Sequence, residues 1–403
     1  MDVLVAVSLN GKMEEKCSPR AWEITRRQRR EFDGDVGFSN RKIVFVINTL
    51  GVGGAERVCV RLANGLAKFD WSVEVVVLKE VEDTLAVNLS QEVRLVCLCV
   101  SRARYASLRL ARYLKKSKPS IVLTLNNEIV ASVFFSQLFY NRKYQLVHRN
   151  VTTLSSVVYQ AGGGLFNRIK YCFLKSILKR TDLLVNQCKA MAIDTESELG
   201  ISSPYIYNPI RLNIPSIRDE GIRCATEYIL CVGRIDTNKS FDLALKAFAL
   251  LPEVFRNIEL WIAGDGPSKP YLQHMAIEIG VGDRVKFLGF QSEIEVLYAG
   301  AKFVSLTSRY EGFPNTLIEA VSQGCPVVAV DCASGPAEIV HEGVNGFLVR
   351  ERTAACLCEA FEKAMNTKWN RTSIAATAER FSETQVLEKW HRLLDYQVRV
   401  TDL

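Results

Sequence analysis

Short apolar segments alternate with helix-length segments along the chain, in two sets. The first set is KIVFVINTL (42–50), VEVVVLK (73–79), VRLVCLCV (93–100), SIVLTL (120–125), YQLVHR (144–149) and DLLVNQ (182–187). The second is YILCVGR (228–234), ELWIAGDG (259–266), VKFLGF (285–290), FVSLTS (303–308), PVVAVD (326–331) and GFLV (346–349). Continuous apolar strands with helical crossovers are typical of parallel sheets covered on both faces. The pattern predicts an α/β fold of two Rossmann-like, doubly wound domains facing each other across a cleft.

The rhythm of strands and helices also predicts the domain boundaries. The first domain is expected at 41–210 and the second at 211–381, with a turn-rich linker, YNPIRLNIPSIRDEGIR, at 207–223. Residues 1–40 are charged and largely aperiodic, and we expect a flexible extension there. Residues 382–403 contain one further helical segment. Because ligands of such sheets bind at the carboxyl ends of the strands, we expect the site in the cleft.

Composition narrows the class of protein. The 403 residues are 48% hydrophobic and 24% charged, as in a globular enzyme, and no apolar run approaches the roughly 20 residues needed to span a bilayer. Without a basic leader at the N-terminus, a secretory signal is not expected, and we expect a cytoplasmic protein. The 12 cysteines are scattered without a CxxC pair. We interpret them as small buried hydrophobes in a reducing compartment, and we expect no metal site.

The net charge of +7 is unevenly distributed. Two predicted helices, at 101–119 and 167–180, intersperse lysine and arginine with aromatic and aliphatic residues. They are either ordinary solvated faces or a surface attracted to anionic lipid headgroups. Neither segment carries a nucleic-acid-binding signature, so we expect no nucleic-acid partner.

The segment SRYEGFPNTLIEA (308–320) joins a strand to a helix and carries the clearest chemistry. Pro314 suits the first helical position, so free backbone N–H groups near Asn315, Thr316 and Leu317 would form an anion cradle for a diphosphate. Glu311 and Glu319 are better placed for sugar hydroxyls. This segment therefore predicts a site for a phosphorylated sugar derivative.

Two more turns of the second domain lie at the same predicted sheet edge. Arg234 and Lys239 follow its first strand and can neutralise charge on a departing diphosphate. The alternative is a pair of solvated loop charges. Gly264, in the AGDGP turn after the next strand, could admit a ligand, and the DCASGPAEIV turn (331–340) could line a base pocket or simply end a strand.

The first domain offers two candidate turns. In NTLGVGGAERV (48–58), Gly53 and Gly54 follow a strand and precede a helix, which allows close approach of a ligand or merely a tight turn. His148, with Arg149 and Asn150, ends the YQLVHR strand. We expect these side chains to project from the opposite wall of the cleft, although a lone histidine is often structural.

An ordered series of motifs makes the chain resemble a known family. The series is GVGGAER, YNPI, GRIDxxK, AGDGP, FLGF, YEGFPNTLIEA, GCPVVA, SGPAEIV and GxNGFLV. It resembles glycosyltransferase family 4, whose members are retaining, sugar-nucleotide-dependent enzymes of GT-B architecture. The likeness covers about residues 42–397. It implies that the second domain binds the nucleotide sugar, that the first receives the acceptor, and that the final helix (382–397) packs back on the first domain.

The resemblance also implies roles for single residues. Arg234 and Lys239 would bind the diphosphate, with help from the backbone at 315–317. Glu319 would bind the ribose diol and Glu311 the hydroxyls of the transferred sugar.

Other positions match the family's pattern in part. Gly53 and Gly54 would admit the phosphates and sugar, and His148 matches less closely because its neighbours differ. Ser240 stands where the family often has glycine. No metal-binding DxD is expected, because Asp33 and Asp35 lie in the extension.

The resemblance implies a function as well. We expect a peripheral membrane glycosyltransferase that moves a sugar from a UDP-hexose or UDP-N-acetylhexosamine to a lipid-linked glycan in surface polysaccharide assembly, such as lipopolysaccharide or capsule, without a metal cofactor. A sugar-nucleotide 2-epimerase of the same architecture and a catalytically inactive assembly scaffold are the alternatives. A nicotinamide-dependent dehydrogenase is disfavoured, because the glycine spacing at 51–54 is not GxGxxG.

Overall fold

The computed structural model describes residues 41–51, 53–79, 85–100, 106–139, 144–161, 164–212 and 226–401. The predicted extension at 1–40, with Asp33 and Asp35, lies outside the described residues. The same holds for 101–105 of the first basic segment and for 213–223 of the predicted linker.

The N-terminal domain alternates strands and helices. Its elements are β1 (Lys42–Ile47), α1 (Gly54–Ala67), β2 (Ser72–Val77), β3 (Arg94–Cys97), α2 (Ala106–Ser117), β4 (Ile121–Thr124), α3 (Asn127–Ser136), β5 (Gln145–Arg149), α4 (Leu154–Ala161), α5 (Leu165–Leu178), β6 (Leu183–Val185) and α6 (Lys189–Leu199). Five of the six predicted strands contain one of these strands, and the sixth, 73–79, overlaps β2, which begins one residue earlier.

The C-terminal domain repeats the arrangement. Its elements are β7 (Tyr228–Val232), α7 (Phe241–Ala249), β8 (Glu259–Ala263), α8 (Lys269–Glu278), β9 (Val285–Gly289), α9 (Ile294–Gly300), β10 (Phe303–Leu306), α10 (Asn315–Ser322), β11 (Val327–Val330), α11 (Pro336–Ile339), β12 (Gly346–Val349), α12 (Ala354–Asn366), α13 (Arg371–Ala376) and α14 (Glu383–Thr401). Short 3-10 turns connect several of them.

Two six-stranded parallel sheets share one topology. The first has the order β3-β2-β1-β4-β5-β6 and the second β12-β11-β10-β7-β8-β9, which is the same order counted within its own domain. The order reverses between β1 and β4 and again between β7 and β10, and ligands of doubly wound sheets bind at such points. The predicted architecture of two doubly wound domains is confirmed.

Each sheet is covered on both faces, as continuous apolar strands require. Alternate residues of β1 divide between two buried clusters: Ile43, Phe45 and Ile47 face one side of the sheet, and Val44 and Val46 the other. The C-terminal sheet is likewise flanked by two apolar clusters. Rigid sheets of this kind hold the loops at their carboxyl edges in fixed positions.

The last helix, α14, belongs spatially to the N-terminal domain. Trp390 and Leu394 are fully buried in the cluster formed by α1 and the first sheet. The indole N–H of Trp71 donates to Nδ1 of His391 at 3.0 Å, and Arg41 pairs with Asp395 at 2.6 Å. The chain therefore crosses twice between the domains, once near residue 210 and once at α14.

The two crossings lie side by side. The backbone N–H of Ile210 donates to the carbonyl oxygen of Phe381, and that of Glu383 donates to the carbonyl oxygen of Ile210, both at 2.9 Å. The ring of Tyr207 stacks on Phe313, with centroids 5.1 Å apart, and meets Phe381 edge-on. This part of the predicted linker is therefore a packed element of the domain junction.

We predict that Trp390→Ala destabilises the N-terminal domain by about 3–5 kcal/mol, because it leaves a cavity between α14 and α1. Urea unfolding followed by circular dichroism measures this. Tyr396→Ala on the same helix is the control, since Tyr396 is 63% exposed and should cost less than about 0.5 kcal/mol. Equal effects of the two substitutions would show that α14 does not stabilise this domain.

Candidate active site

A cleft of about 830 Å³ lies between the carboxyl edges of the two sheets. The N-terminal domain contributes the start of α1 and the residues after β5 and β6. The C-terminal domain contributes the loops after β7, β8, β9 and β10. The residues that line the cleft include Gly53, Gly54, Arg57, Gln187, Asn208, Arg234, Lys239, Gly264, Tyr298, Glu311, Asn315, Thr316 and Glu319.

Most of the residues expected at the site lie in this cleft, but Leu317, His148, Arg149 and Asn150 do not. Arg149 and Asn150 are buried at the end of β5. Leu317 is fully buried beneath the start of α10, and His148 is fully buried behind β5. Four further residues, Arg57, Gln187, Asn208 and Tyr298, line the cleft without having been singled out from the sequence. Arg57 belongs to the GVGGAER motif and Asn208 to the YNPI motif, so these motifs could have identified both as residues of the site.

Lys239 and Glu311 form an ion pair on the C-terminal wall of the cleft. The ammonium of Lys239 lies 2.6 Å from Oε1 of Glu311, and Ser308 donates its hydroxyl to the same oxygen at 2.5 Å. Both side chains of the ion pair are less than one-fifth exposed. Glu311 is thereby fixed in one orientation beside the only cation within hydrogen-bond distance of it in the described part of the chain.

The loop that carries the two predicted cations is organised by Asp236. Its Oδ1 accepts from the backbone N–H groups of Asn238 and Lys239, at 3.0 and 3.1 Å. Arg234 makes a long 3.9 Å pair with Asp236 and is 74% exposed. Arg234 therefore stands at the mouth of the cleft, free to reorient toward an anion.

Ser240 shows why glycine suits the end of this loop. It has φ +49, in the left-handed region that non-glycine residues rarely adopt. Its hydroxyl donates to the carbonyl oxygen of Thr237 at 3.1 Å and accepts from Nε of Arg309 at 3.0 Å. These two hydrogen bonds hold the serine in the conformation that the turn requires, so the departure from glycine leaves Lys239 in the cleft.

Gly264 has a packing role that the sequence did not reveal. At φ +141, a Cβ on this residue would lie 1.9 Å from the carbonyl oxygen of Gly233. Gly266 approaches the carbonyl oxygen of Ile235 in the same way, at 2.4 Å. The loops after β7 and β8 therefore touch backbone to backbone, and this contact sets the floor of the cleft.

Helix α10 begins one residue later than expected. Pro314 is the N-cap and Asn315 the first helical residue. The backbone N–H of Leu317 donates to the carbonyl oxygen of Pro314 at 3.1 Å, so the predicted cradle narrows to the N–H groups of Asn315 and Thr316. The buried hydroxyl of Thr316 has no partner among the described residues. This helix start presents several unused polar groups to the cleft.

Glu319 lies at the inner end of the cleft. Tyr298, fully buried, donates its hydroxyl to Oε2 of Glu319 at 3.2 Å. Burial raises the pKa of Glu319, and the cations Arg61 and Arg57 of α1 oppose that rise. The carboxylate keeps one oxygen for another donor, as a ligand hydroxyl would supply.

His148 does not project into the cleft. Its Nδ1 lies 2.8 Å from the hydroxyl of Thr124 and its Nε2 3.2 Å from Oδ1 of Asn127. Burial lowers its pKa to about 3, so the ring is neutral at ordinary pH. The strand β5 turns this side chain toward α3 because side chains alternate across a strand. Arg149, next on the strand, is directed toward the domain junction.

The SGPAEIV turn joins the domains. The carboxylate of Glu338 accepts from the backbone N–H groups of Lys189 and Ala190, at 3.1 and 2.7 Å, and from the Tyr207 hydroxyl at 3.0 Å. A carboxylate on these first N–H groups of α6 is a favourable helix cap. The turn does follow the end of β11, as one of the two predictions had it, and the contact of Glu338 with α6 is an addition to that role.

A second cavity of about 570 Å³ opens in the N-terminal domain and shares Val151 with the cleft. Its wall includes Asn48 and Asn126, whose amide oxygens are buried without partners among the described residues. Helix α5 forms one side. Near the start of the same helix, Phe166 is 68% and Ile169 58% exposed.

The described ranges contain neither a metal-binding cluster nor a membrane-spanning helix. No group of three or more His, Cys, Asp or Glu side chains there is arranged to hold a metal ion. No helix in that part of the chain is long and apolar enough to cross a membrane.

Known proteins match both domains. A model described as Glycosyltransferase Family 4 matches residues 52–213, and one described as Glycosyl transferases group 1 matches residues 215–383. HepE of Anabaena, solved in complex with UDP and glucose, is 20% identical, covering 88% of this chain and all of its own, with a TM-score of 0.72. The fold is GT-B.

Two relatives indicate the kind of process. An N-acetylgalactosaminyltransferase of Campylobacter jejuni, acting on N-acetylgalactosamine-N,N'-diacetylbacillosaminyl-diphospho-undecaprenol, is 29% identical over 77% of this chain and 86% of its own. The amylovoran biosynthesis glycosyltransferase AmsD of Erwinia amylovora is 23% identical over 85% and 96%. The chain belongs to glycosyltransferase family 4, and these two relatives are named for transfer to an undecaprenol-linked sugar diphosphate and for amylovoran biosynthesis.

We predict that Gly312→Ala lowers the rate of sugar transfer about tenfold or more. A Cβ at this position would lie 2.1 Å from the carbonyl oxygen of Val151 in the opposite domain, so the cleft must widen, and small displacements of reacting groups cost large factors in rate. Initial rates measure the effect. The control is Gly164→Ala, whose Cβ meets no atom within 4 Å. An unchanged rate for Gly312→Ala would show that this contact does not set the working geometry.

Proposed function

We propose that the protein is a retaining glycosyltransferase of the cytoplasmic membrane surface, which transfers one sugar from a UDP-hexose or UDP-N-acetylhexosamine to a lipid-linked glycan. The observation that carries the donor side is the clustering of Lys239, Arg234 and the start of α10 around Glu311. The relatives that assemble undecaprenol-linked and extracellular polysaccharides support the acceptor side.

The diphosphate of the donor is proposed to lie between Arg234, Lys239 and the backbone N–H groups of Asn315 and Thr316. These groups are all donors or cations, and they face one space. A diphosphate that takes over Lys239 weakens the ion pair with Glu311, which leaves a Glu311 oxygen for the hydroxyls of the transferred sugar. When the donor binds, the Glu311 carboxylate thereby loses its ion pair with Lys239 and gains a hydrogen bond from a sugar hydroxyl.

The other end of the donor is proposed to extend toward Glu319. A carboxylate with one oxygen on Tyr298 and the other unused can accept from a ribose hydroxyl. Glu319 lies on α10 near Arg57 of the opposite domain, so a nucleotide bound there would lie between the two domains.

The reaction needs no protein nucleophile in this proposal. The bond between the anomeric carbon and the diphosphate oxygen breaks, and the acceptor hydroxyl oxygen forms its bond on the same face of the sugar. The hydroxyl proton passes to the leaving diphosphate. Lys239, Arg234 and the N-terminus of α10 stabilise the charge that develops there, which is the largest single contribution expected of such a site. Glu311 positions the sugar.

The acceptor is proposed to occupy the second cavity. Asn48 and Asn126 offer amide oxygens without partners in the described structure, and these accept hydrogen bonds from sugar hydroxyls. Because this cavity meets the cleft at Val151, a glycan bound there reaches the donor sugar. The apolar and basic face of α5 beside it suits the lipid end of the acceptor and an anionic bilayer.

We predict transfer of labelled sugar from a UDP-sugar to lipid-linked glycan in membrane fractions, and a Kd for UDP about tenfold to 100-fold weaker in Glu319→Ala because a buried acceptor for the ribose is lost. A panel of nucleotide sugars and calorimetry with UDP measure the two effects. The control is Glu295→Ala, an exposed carboxylate near Glu319.

Transfer from GDP-mannose and from no UDP-sugar would overturn the donor. An unchanged Kd in Glu319→Ala would overturn the ribose role. Conversion of UDP-N-acetylglucosamine without any acceptor would identify a 2-epimerase instead, and binding without turnover of any kind would identify a scaffold.

We predict that the double variant Phe166→Ser, Ile169→Ser lowers binding to vesicles containing anionic phosphatidylglycerol at least tenfold, since each exposed apolar side chain buried in a bilayer contributes about 1.5–3 kcal/mol. Vesicle sedimentation measures this. Val254→Ser, Ile277→Ser is the matched control, because those residues are 78% and 71% exposed on the C-terminal domain. An equal loss in the control, or none in either, would refute a membrane contact at α5.

A further inference from the structure

Arg149 is a buried cation without a charged partner. Its side chain is completely buried at the carboxyl end of β5. One nitrogen, Nη2, donates to Oδ1 of Asn208. The other two, Nε and Nη1, have no hydrogen-bond partner among the described residues, and no carboxylate in that part of the chain pairs with the group. Burial lowers its pKa to about 9.

Such a group is costly to fold. An uncompensated buried charge destabilises a protein, and a well-packed apolar side chain of similar volume is usually tolerated better. Stability therefore does not explain why an arginine is buried here. The hydrogen bond from Arg149 to Asn208, which orients the Asn208 side chain, does.

Asn208 links Arg149 to Asn315 at the start of α10 through a second hydrogen bond. Its Nδ2 donates to Oδ1 of Asn315 at 2.5 Å and lies 3.5 Å from the carbonyl oxygen of Phe313. Asn208 comes from the segment between the domains, Arg149 from the N-terminal domain and Asn315 from the C-terminal domain. The three side chains form one chain of hydrogen bonds across the domain junction.

The direction of every bond in this chain is determined by Arg149. A guanidinium has only donors, so the amide of Asn208 must turn its oxygen toward Arg149 and its NH2 toward Asn315. Asn315 must then accept with its oxygen, which leaves its own NH2 pointing away. That NH2 lies 3.3 Å from the position of a Cβ on Gly54, on the wall of the cleft.

Without an arginine, only the long 3.5 Å contact with the carbonyl oxygen of Phe313 would orient Asn208, and Asn315 could flip together with it. A flipped Asn315 would present its oxygen to the cleft, next to the N–H groups proposed to hold the diphosphate. An oxygen acceptor there repels a phosphate oxygen, whereas an NH2 donor binds it.

We propose that Arg149 is a positioning residue: through Asn208 it sets the side-chain amide of Asn315 so that its NH2 donates to the diphosphate of the sugar nucleotide. The inference rests on the proposed function, because it takes the diphosphate to lie at the start of α10. Arg149 itself does not touch the ligand.

The test is a double-mutant cycle on UDP binding by calorimetry, with Arg149→Met, Asn315→Leu and the double variant in the full-length protein. Each single variant should weaken the Kd for UDP about tenfold, the effect of one charge-assisted hydrogen bond. The double variant should be no weaker than Asn315→Leu, because Arg149 acts only through that amide. About 100-fold weakening in the double variant would overturn the proposal, as would a normal Kd in Arg149→Met.

Asn315→Asp separates orientation from packing. The carboxylate has the same shape but no donor, so UDP binding should fall further than in Asn315→Leu, although an acidic residue at the first position of a helix stabilises that helix. An affinity in Asn315→Asp equal to or better than that in Asn315→Leu would show that the cleft does not require a donor there.

Thr195→Val is the control for stability, and nucleotide binding by the unaltered protein is the control for function. Thr195→Val removes a buried hydroxyl that bonds Asn150 and Asn186 in the same domain without reaching the cleft, so it should lower the melting temperature and leave UDP binding unchanged. Weakened binding in Thr195→Val would mean that general destabilisation explains the Arg149 effect and would overturn the proposal. Failure of the unaltered protein to bind UDP, ADP or GDP would instead reject the proposed function.

Discussion

The cleft depends on one close approach between the domains. Gly312 lies so near the carbonyl oxygen of Val151 that no side chain fits between them, and the Sγ of Cys188 lies 3.7 Å from the carbonyl oxygen of Gly312 on the same side. The segment that follows β10 is thereby held against the N-terminal domain. Since Glu311 and Asn315 flank this contact, the distance between the two domains fixes where the carboxylate and the helix start lie.

The sequence predicted the fold well because the information was local. Runs such as KIVFVI and SIVLTL are apolar at every position, which parallel strands buried on both faces require, and turns with glycine or proline separate them. The identical order of the two sheets then follows from the right-handed crossovers of βαβ units. The start of α10 differed by one residue, because Pro314, a residue type favoured at the first helical position, is here the N-cap.

The site was less predictable, because its remaining features depend on contacts between distant segments. Asn208, Asn315 and Arg149 are each ordinary residues in the sequence, and only the junction of the domains brings them within hydrogen-bond distance. Gly264 was expected to make room for a ligand, but its absent side chain makes room for Gly233. Periodicity predicts which face of a helix is buried, whereas it does not predict which loop lies against which.

The charges in the cleft suit the anion that we propose it binds. Lys239 is already neutralised by Glu311 at 2.6 Å, so a diphosphate must compete with a carboxylate for it. Arg234 is different, because its 3.9 Å pair with Asp236 is largely exposed and costs little to break. In the proposed function, Arg234 therefore supplies the first attraction to an incoming diphosphate, and Lys239 follows, which releases a Glu311 oxygen to a sugar hydroxyl. An anion without a sugar would leave Glu311 uncompensated, so the proposed site favours the whole nucleotide sugar over free phosphate.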